Sequence, residues 1–261
     1  MYLCSLERTA ARRERPAQAQ RTHSAGTARP HFKTAYIRNT MKLIIFDLDG
    51  TLLNTIADLG GAVNHTLECH QLPQHDLAEY KMMVGRGMRN LVKAALPTDK
   101  KEDEAFVDAF LKDFLDYYMA HIDRATVPYP GIPELISQLN ESGCRLAVAS
   151  NKLQAGTETL IRKFFPGIPF VAVCGNSPAY PLKPDAALVK YIMDQAQVGP
   201  QDTLMVGDSG IDILTAHNAG IPALAVSWGF RPIEDLAEAD HIAGNAAELT
   251  EILRKLRIFA S

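Results

Sequence analysis

The sequence predicts an α/β fold, a parallel sheet with crossover helices that is interrupted after its first strand by a block of helices. Three observations predict it. Leu43-Ile44-Ile45 is aliphatic without polar alternation, as in a strand buried on both faces. From Val127 onward, strand-like runs alternate with helix-length segments. Between Asn54 and about Val127 the pattern is helical almost throughout.

The elements follow in order. The first strand ends in Phe46-Asp47-Leu48-Asp49-Gly50-Thr51, where Gly50 lets the chain turn. Thr55-Ile56-Ala57-Asp58 has the form of a capping box with Asp in place of Glu, and Leu59, Val63 and Leu67 continue an apolar stripe. Helices are expected over 74–84, 88–96 and 101–122. The last carries Phe106, Phe110, Phe114, Tyr117 and Tyr118 at helical spacing, which reads as packing between helices. Beyond Val127 the expectation is helix 133–142, strand 145–149, helix 157–165, strand 170–173 and helix 184–197 with Pro at its first turn. Strand 203–206, helix 211–219, strand 222–226 and helix 246–256 complete it. The expected division is therefore an α/β core (41–53 and 128–261), a helical cap (54–127) and an extension (1–40).

Composition narrows the function. Of 261 residues 47% are hydrophobic and 22% charged, ordinary values for a globular protein. No apolar run approaches the ~20 residues of a membrane span, and Cys4, Cys69, Cys144 and Cys174 form no CxxC pair, which favours a reducing, cytoplasmic setting. Residues 1–40 carry seven Arg and one Lys against Glu7 and Glu14, hence +6, so the net charge of −3 leaves −9 for the other 221 residues. A segment this acidic is a poor nonspecific binder of nucleic acid. The basic stretch before Met41 has no sustained apolar period, and reads as a disordered extension or a misplaced start rather than a targeting signal.

Chemistry is concentrated where the core strands stop. The first offers Asp47 and Asp49, the second Ser150-Asn151-Lys152, and the loop after the third holds Lys183-Pro184. The fourth offers Gly207-Asp208-Ser209, with Asp212 one helical turn on. Ligands of open α/β sheets bind outside the carboxyl ends of the strands. Asp-Gly by itself is a turn and a lone Lys-Pro a helix start. Together, three acidic groups suit a hard divalent cation, most simply Mg²⁺. A hydroxyl and a lysine suit an anion held against it, and the set describes a phosphoryl-transfer site.

With these residues in place, the chain resembles a haloacid dehalogenase superfamily hydrolase over essentially all of 41–261. The matching motifs are Asp47-Leu48-Asp49-Gly50-Thr51, Ser150, Lys183 and Gly207-Asp208-Ser209-Gly210-Ile211-Asp212. Ala216-His217-Asn218-Ala219-Gly220 and Ser227-Trp228-Gly229-Phe230-Arg231 are similar to the phosphoglycolate phosphatase-like branch. The resemblance implies a Rossmann-like core and a Mg²⁺-dependent phosphatase of a small phosphorylated metabolite, 2-phosphoglycolate first. It implies Asp47 as nucleophile and Asp49 as general acid and base. Asp47, the Asp49 carbonyl and Asp208 would be the metal ligands, with Asp212 behind them. Ser150, Asn151 and Lys183 would bind substrate. The family often has Asp at Asn54, a hinge position outside the chemistry. A monomer or homodimer without nucleic-acid or membrane partners is expected.

Two weaker signals and the alternatives complete the reading. Gly85-Arg86-Gly87 is either a plain turn or a loop whose Arg86 binds an anionic leaving group. His65, Cys69, His70 and His75 lack a compact four-ligand pattern and read as helix surface and core. Pyrophosphatase or nucleotide phosphatase activity, or a sugar phosphomutase on the same scaffold, are the competing functions. A dehalogenase is disfavoured by Asp49, because a departing halide needs no proton.

Overall fold

The computed structural model describes residues 42–258. The extension over 1–40 lies outside the described residues. Strand β1 (Leu43–Phe46) is fully buried and sits at the centre of a six-stranded sheet. Its neighbours are β4 (Arg145–Leu153) and β6 (Thr203–Gly207), both parallel to it. Beyond β4 lies β5 (Ala172–Asn176). Beyond β6 lie β7 (Ala223–Val226) and β8 (His241–Ala243), giving the order β5-β4-β1-β6-β7-β8. The sheet is Rossmann-like. The chain fills one side outward from β1 and then crosses back to start the other, so β1 and β6 flank a topological switch point.

Both faces of the sheet are covered, which is why its strands read as unbroken apolar runs. The two-residue period of a strand sends Ile44 and Phe46 to one face and Leu43 and Ile45 to the other. The first pair packs with Leu146, Val148, Leu204, Val206 and the apolar faces of α6 (Ile132–Glu141), α7 (Gln154–Phe164) and α10 (Ala246–Lys255). The second pair packs with Ala147, Met205 and Ala225 under α8 (Ala187–Ala196) and α9 (Gly210–Ala219).

Helices α1 (Ile56–Cys69), α2 (Leu77–Met83), α3 (Met88–Ala95), α4 (Thr98–Lys101) and α5 (Glu104–His121) stand between β1 and β4 in the chain. Phe110, Phe114 and Tyr118 of the aromatic stripe are buried, with Phe114 and Tyr118 stacked at 5.6 Å between centroids. The chain enters this segment through β2 (Leu53–Asn54) and leaves through β3 (Val127–Pro128). These two short strands pair antiparallel, with Asn54 opposite Val127.

Several local expectations change. The capping box at Thr55 does not form. The Thr55 hydroxyl is buried without a partner, and Asp58 instead accepts the backbone N–H groups of Ala125 and Thr126 on the returning chain. The helix expected over 101–122 starts at Glu104 as α5, with Asp103 capping it through the Phe106 N–H, because Lys101 belongs to the end of the short α4. Strand β4 runs four residues past Ala149, because Ser150, Asn151 and Lys152 are buried among polar partners of their own. Helix α8 starts at Ala187, after a cis Lys183-Pro184 bond and a turn. Among the described residues no helix is long and apolar enough to cross a membrane.

Candidate active site

Asp47 and Asp49 leave the carboxyl end of β1, and Asp208 leaves that of β6 beside it. The backbone locks this arrangement, the Asp47 N–H donating to the Val206 carbonyl at 2.9 Å. Asp212, in the first turn of α9, reaches back to accept the N–H and hydroxyl of Ser209 at 3.1 and 2.6 Å. Carboxylate oxygens of Asp47, Asp208 and Asp212 all lie within 4.8 Å of one another, and all three residues are buried.

One ammonium answers two of these three acids. Lys183 Nζ donates to Asp47 Oδ1, Asp212 Oδ1 and the Ala149 carbonyl at 2.7, 2.7 and 2.8 Å. Burial disfavours the charged form of Lys183, but Asp212 and Asp47 outweigh it and raise its pKa. Burial lifts the Asp47 pKa from its ordinary 3.8 to about 7, with Lys183 opposing and Asp212 adding to the rise. Burial also pushes Asp208 well above the usual carboxylate range, reinforced by Asp212 and Asp47. Its Oδ2 accepts one hydrogen bond, from the Phe230 N–H at 2.7 Å. Lys183 thus bonds two of three carboxyls crowded into a buried oxygen-only pocket, and ionising all three there calls for a further cation. That donor set fits a hard divalent cation.

The pocket above this cluster is lined from the core by Asp47, Asp49, Ser150, Asn151, Lys183 and Asp208. From the helical segment it is lined by Leu59, Val84, Gly85, Gly87, Met88 and Leu91. The structure therefore brings together every expected site residue except Arg86. The Arg86 side chain is exposed and borders the neighbouring groove with Asn90 and Leu182, because Gly85 and Gly87, both at positive φ, turn the loop backbone rather than the guanidinium towards the pocket. Asn151 lines the pocket, but its amide is committed to bracing. Its Nδ2 donates to the carbonyls of Gly85 and Lys183, each at 3.0 Å, and its Oδ1 accepts the Lys183 N–H at 2.8 Å.

Three further groups belong to the site. Lys152, quoted in the Ser-Asn-Lys string without a role, pairs with Asp49. Arg231 lines the pocket and donates to the carbonyls of Met82 and Val84 at the end of α2. Trp228 Nε1 donates to the Thr51 carbonyl at 3.2 Å, placing the Trp-Gly-Phe-Arg loop against the turn that follows Asp49. Among the described residues His65 and Cys69 of α1 and His70 and His75 beyond it form no metal cluster; His75 Nε2 contacts the Ala95 carbonyl and His70 contacts Asp113.

Residues 44–226 match the haloacid dehalogenase-like hydrolase family. The chain is 36% identical over 217 residues to the phosphoglycolate phosphatase of Mesorhizobium japonicum, covering 81% of this chain and 96% of that one. It is 36% identical over 215 residues to the phosphoglycolate phosphatase of Agrobacterium fabrum, covering 81% and 91%. The solved structure of a predicted phosphoglycolate phosphatase from Haemophilus somnus superposes with a TM-score of 0.74 at 30% identity, covering 81% of this chain and 97% of that one.

Proposed function

The chain belongs to the haloacid dehalogenase-like hydrolases and is a phosphomonoester hydrolase, and from that premise we propose that it is a Mg²⁺-dependent phosphoglycolate phosphatase working through a covalent aspartyl-phosphate. The observation that carries this reading is the buried cluster of Asp47, Asp208 and Asp212, with the Lys183 ammonium on Asp47 and Asp212. The substrate assignment rests on the similarity to the phosphoglycolate phosphatases of Mesorhizobium japonicum and Agrobacterium fabrum.

Asp47, the Asp49 main-chain carbonyl and Asp208 would hold Mg²⁺. Bound there, it supplies positive charge against the phosphoryl oxygens. The protein's own groups do the rest. Lys183 neutralises Asp47, so that an anionic nucleophile can approach an anionic ester, and Ser150 holds the phosphoryl oxygens together with Lys183, which turns one N–H from the Ala149 carbonyl to do so. An Asp47 oxygen attacks phosphorus, the ester P–O bond breaks, and the leaving oxygen takes the proton of the Asp49 carboxyl. The Asp49 carboxylate then takes a proton from water as that oxygen bonds to phosphorus and the Asp47–phosphorus bond breaks. Asp212 holds Lys183 in place. The helices over the pocket act as a cap that excludes bulk water, and the setting is cytoplasmic.

The test is a panel of phosphoesters with Mg²⁺, scored for free phosphate against isomerised sugar phosphate, together with acid-quenched single turnovers on a radiolabelled ester. Phosphoglycolate should lead the panel, and label should remain on the wild-type chain but not on Asp47→Asn. Isomerised product without free phosphate would favour the mutase. Label retained by Asp47→Asn would remove Asp47 as nucleophile.

A further inference from the structure

The two buried lysines of the site do separate work. Lys183 serves Asp47 and Asp212. Lys152, two residues beyond Ser150 on β4, has a side chain with no solvent exposure. It donates to both carboxylate oxygens of Asp49, at 3.1 and 3.3 Å. Among the described residues no other hydrogen-bond donor reaches that carboxylate. The same Nζ donates to the hydroxyl of Tyr118, a buried residue of α5. A chain of contacts therefore runs from a helix of the inserted segment, through a core lysine, to one side chain of the Asp pair.

A carboxylate has two free torsions, and a general acid must present one oxygen within hydrogen-bond reach of the leaving group. The contact across both oxygens fixes those torsions in the carboxylate, and when one oxygen carries the proton to be donated the ammonium keeps the other. The ammonium that makes this contact would be a lone buried charge without its partners, so the position of Lys152 depends in turn on Asp49 and Tyr118. We propose that Lys152 is the positioning residue for Asp49, and that Tyr118 makes this positioning depend on the docking of α5 against the core. No proton moves on or off Lys152 in this role. The inference rests on the reading of Asp49 as general acid given above.

The experiment compares kcat for phosphoglycolate, whose alkoxide leaving group needs a proton, with kcat for p-nitrophenyl phosphate, whose leaving group needs little. Both are measured with saturating Mg²⁺ in wild type, Asp49→Asn, Lys152→Met, Tyr118→Phe and the Asp49→Asn/Lys152→Met double variant. Lys152→Met keeps the length and volume of the side chain without the charge. It should lower kcat for phosphoglycolate by on the order of a hundredfold, the lower end of general-acid contributions, and lower it much less for p-nitrophenyl phosphate. Tyr118→Phe keeps the buried ring, so it folds, and should show the same selectivity at roughly three- to tenfold. The double variant should be no slower than Asp49→Asn alone, because the two residues act as one unit.

Equal losses on both substrates in Lys152→Met, or losses that multiply in the double variant, would overturn the proposal and leave a merely structural lysine. Tyr118→Phe without selectivity would overturn the link to α5. If Asp49→Asn itself shows no selectivity for the alkyl substrate, the general-acid reading fails instead, and that outcome is distinguishable because it does not involve Lys152.

Discussion

Gly50 stands so close to Asp208 that a methyl group on its Cα would lie 2.3 Å from Asp208 Oδ2. Its φ of +91° is one that side-chain-bearing residues rarely adopt. Gly229 crowds Asp208 as well, its missing Cβ also 2.3 Å from Oδ2. The acid at the end of β6 thus sits in a slot whose walls are backbone.

The first prediction follows from that slot. Gly50→Ala should force Asp208 out of line with Asp47 and lower kcat by on the order of a hundredfold, the usual consequence of an ångström-scale misplacement. The strained φ should add a loss of stability of about 1–2 kcal/mol. Steady-state kinetics and urea unfolding would read the two effects separately, and wild-type kcat in Gly50→Ala would mean that the cluster does not depend on this approach.

Metal and protons should compete for the cluster. The Asp47 carboxyl, raised from 3.8 to about 7 in the folded chain, binds its proton more tightly folded than unfolded. Its contribution to stability is therefore fully present below about pH 4 and is lost as pH rises through about 7. A divalent cation needs the deprotonated carboxylates. Mg²⁺ should accordingly raise Tm, relative to EDTA, by more at pH 8 than at pH 5.5, and chelation should abolish turnover until Mg²⁺ is returned. A Tm increment that is equal at both pH values, or full activity after chelation, would contradict the assignment of this site to a cation.

Asp58 should matter to stability rather than to chemistry. It accepts from the Ala125 N–H, the Thr126 N–H and the Thr126 hydroxyl at 2.7–3.0 Å, next to the strand by which the chain leaves the helical segment. Asp58→Ala would leave the buried N–H and hydroxyl of Thr126 without this acceptor, while the exposed Ala125 N–H turns to water, at a cost of about 3 kcal/mol. Asp58→Asn, which keeps an acceptor, should cost less. Urea denaturation of both variants checks the order, and losses below about 0.5 kcal/mol in Asp58→Ala would show that the contact contributes little.

What the sequence made legible, and what it did not, divides along physical lines. Strands covered on both faces must be apolar throughout, so β1, β6 and β7 stand out as runs. The sheet edge that carries ligands must be polar, so Asp47 and Asp208 after β1 and β6 stand out too, as do Ser150 in β4 and Lys183 in the loop after β5. Nothing local marks β2, β3 or β8: a two-residue strand has no period, and β8 has one buried residue, Ala243. Thr55-Ile56-Ala57-Asp58 misled because a local cap competes with backbone N–H groups 67 and 68 residues away, and those prevailed. The Lys152–Tyr118 contact was invisible for the same reason. It joins residues on separate elements 34 positions apart, and the helical period of α5 reports that Tyr118 is buried but not what its hydroxyl meets.

The loop after β7 carries the last prediction. The Arg231 guanidinium donates to the Met82 and Val84 carbonyls at 2.9 and 2.5 Å, two of the acceptors that the end of α2 leaves without helical partners. It thereby fixes the Val84–Gly85–Gly87 wall of the pocket to the loop whose Phe230 N–H holds Asp208. Arg86, between the same two glycines, is exposed and faces the adjoining groove. Arg231→Ala should therefore lower kcat/KM for phosphoglycolate by about tenfold or more, the equivalent of about 1.5–3 kcal/mol for hydrogen bonds from a charged donor. Arg86→Ala should change it by less than about twofold, as for an exposed side chain away from the reacting groups. The comparison needs kcat/KM for phosphoglycolate and for p-nitrophenyl phosphate, which lacks a carboxylate, in both variants. A loss in Arg86→Ala confined to phosphoglycolate would reverse the assignment, since it would require the loop to turn and bring Arg86 onto the substrate carboxylate during turnover. A loss in Arg231→Ala on both substrates is what a displaced pocket wall produces.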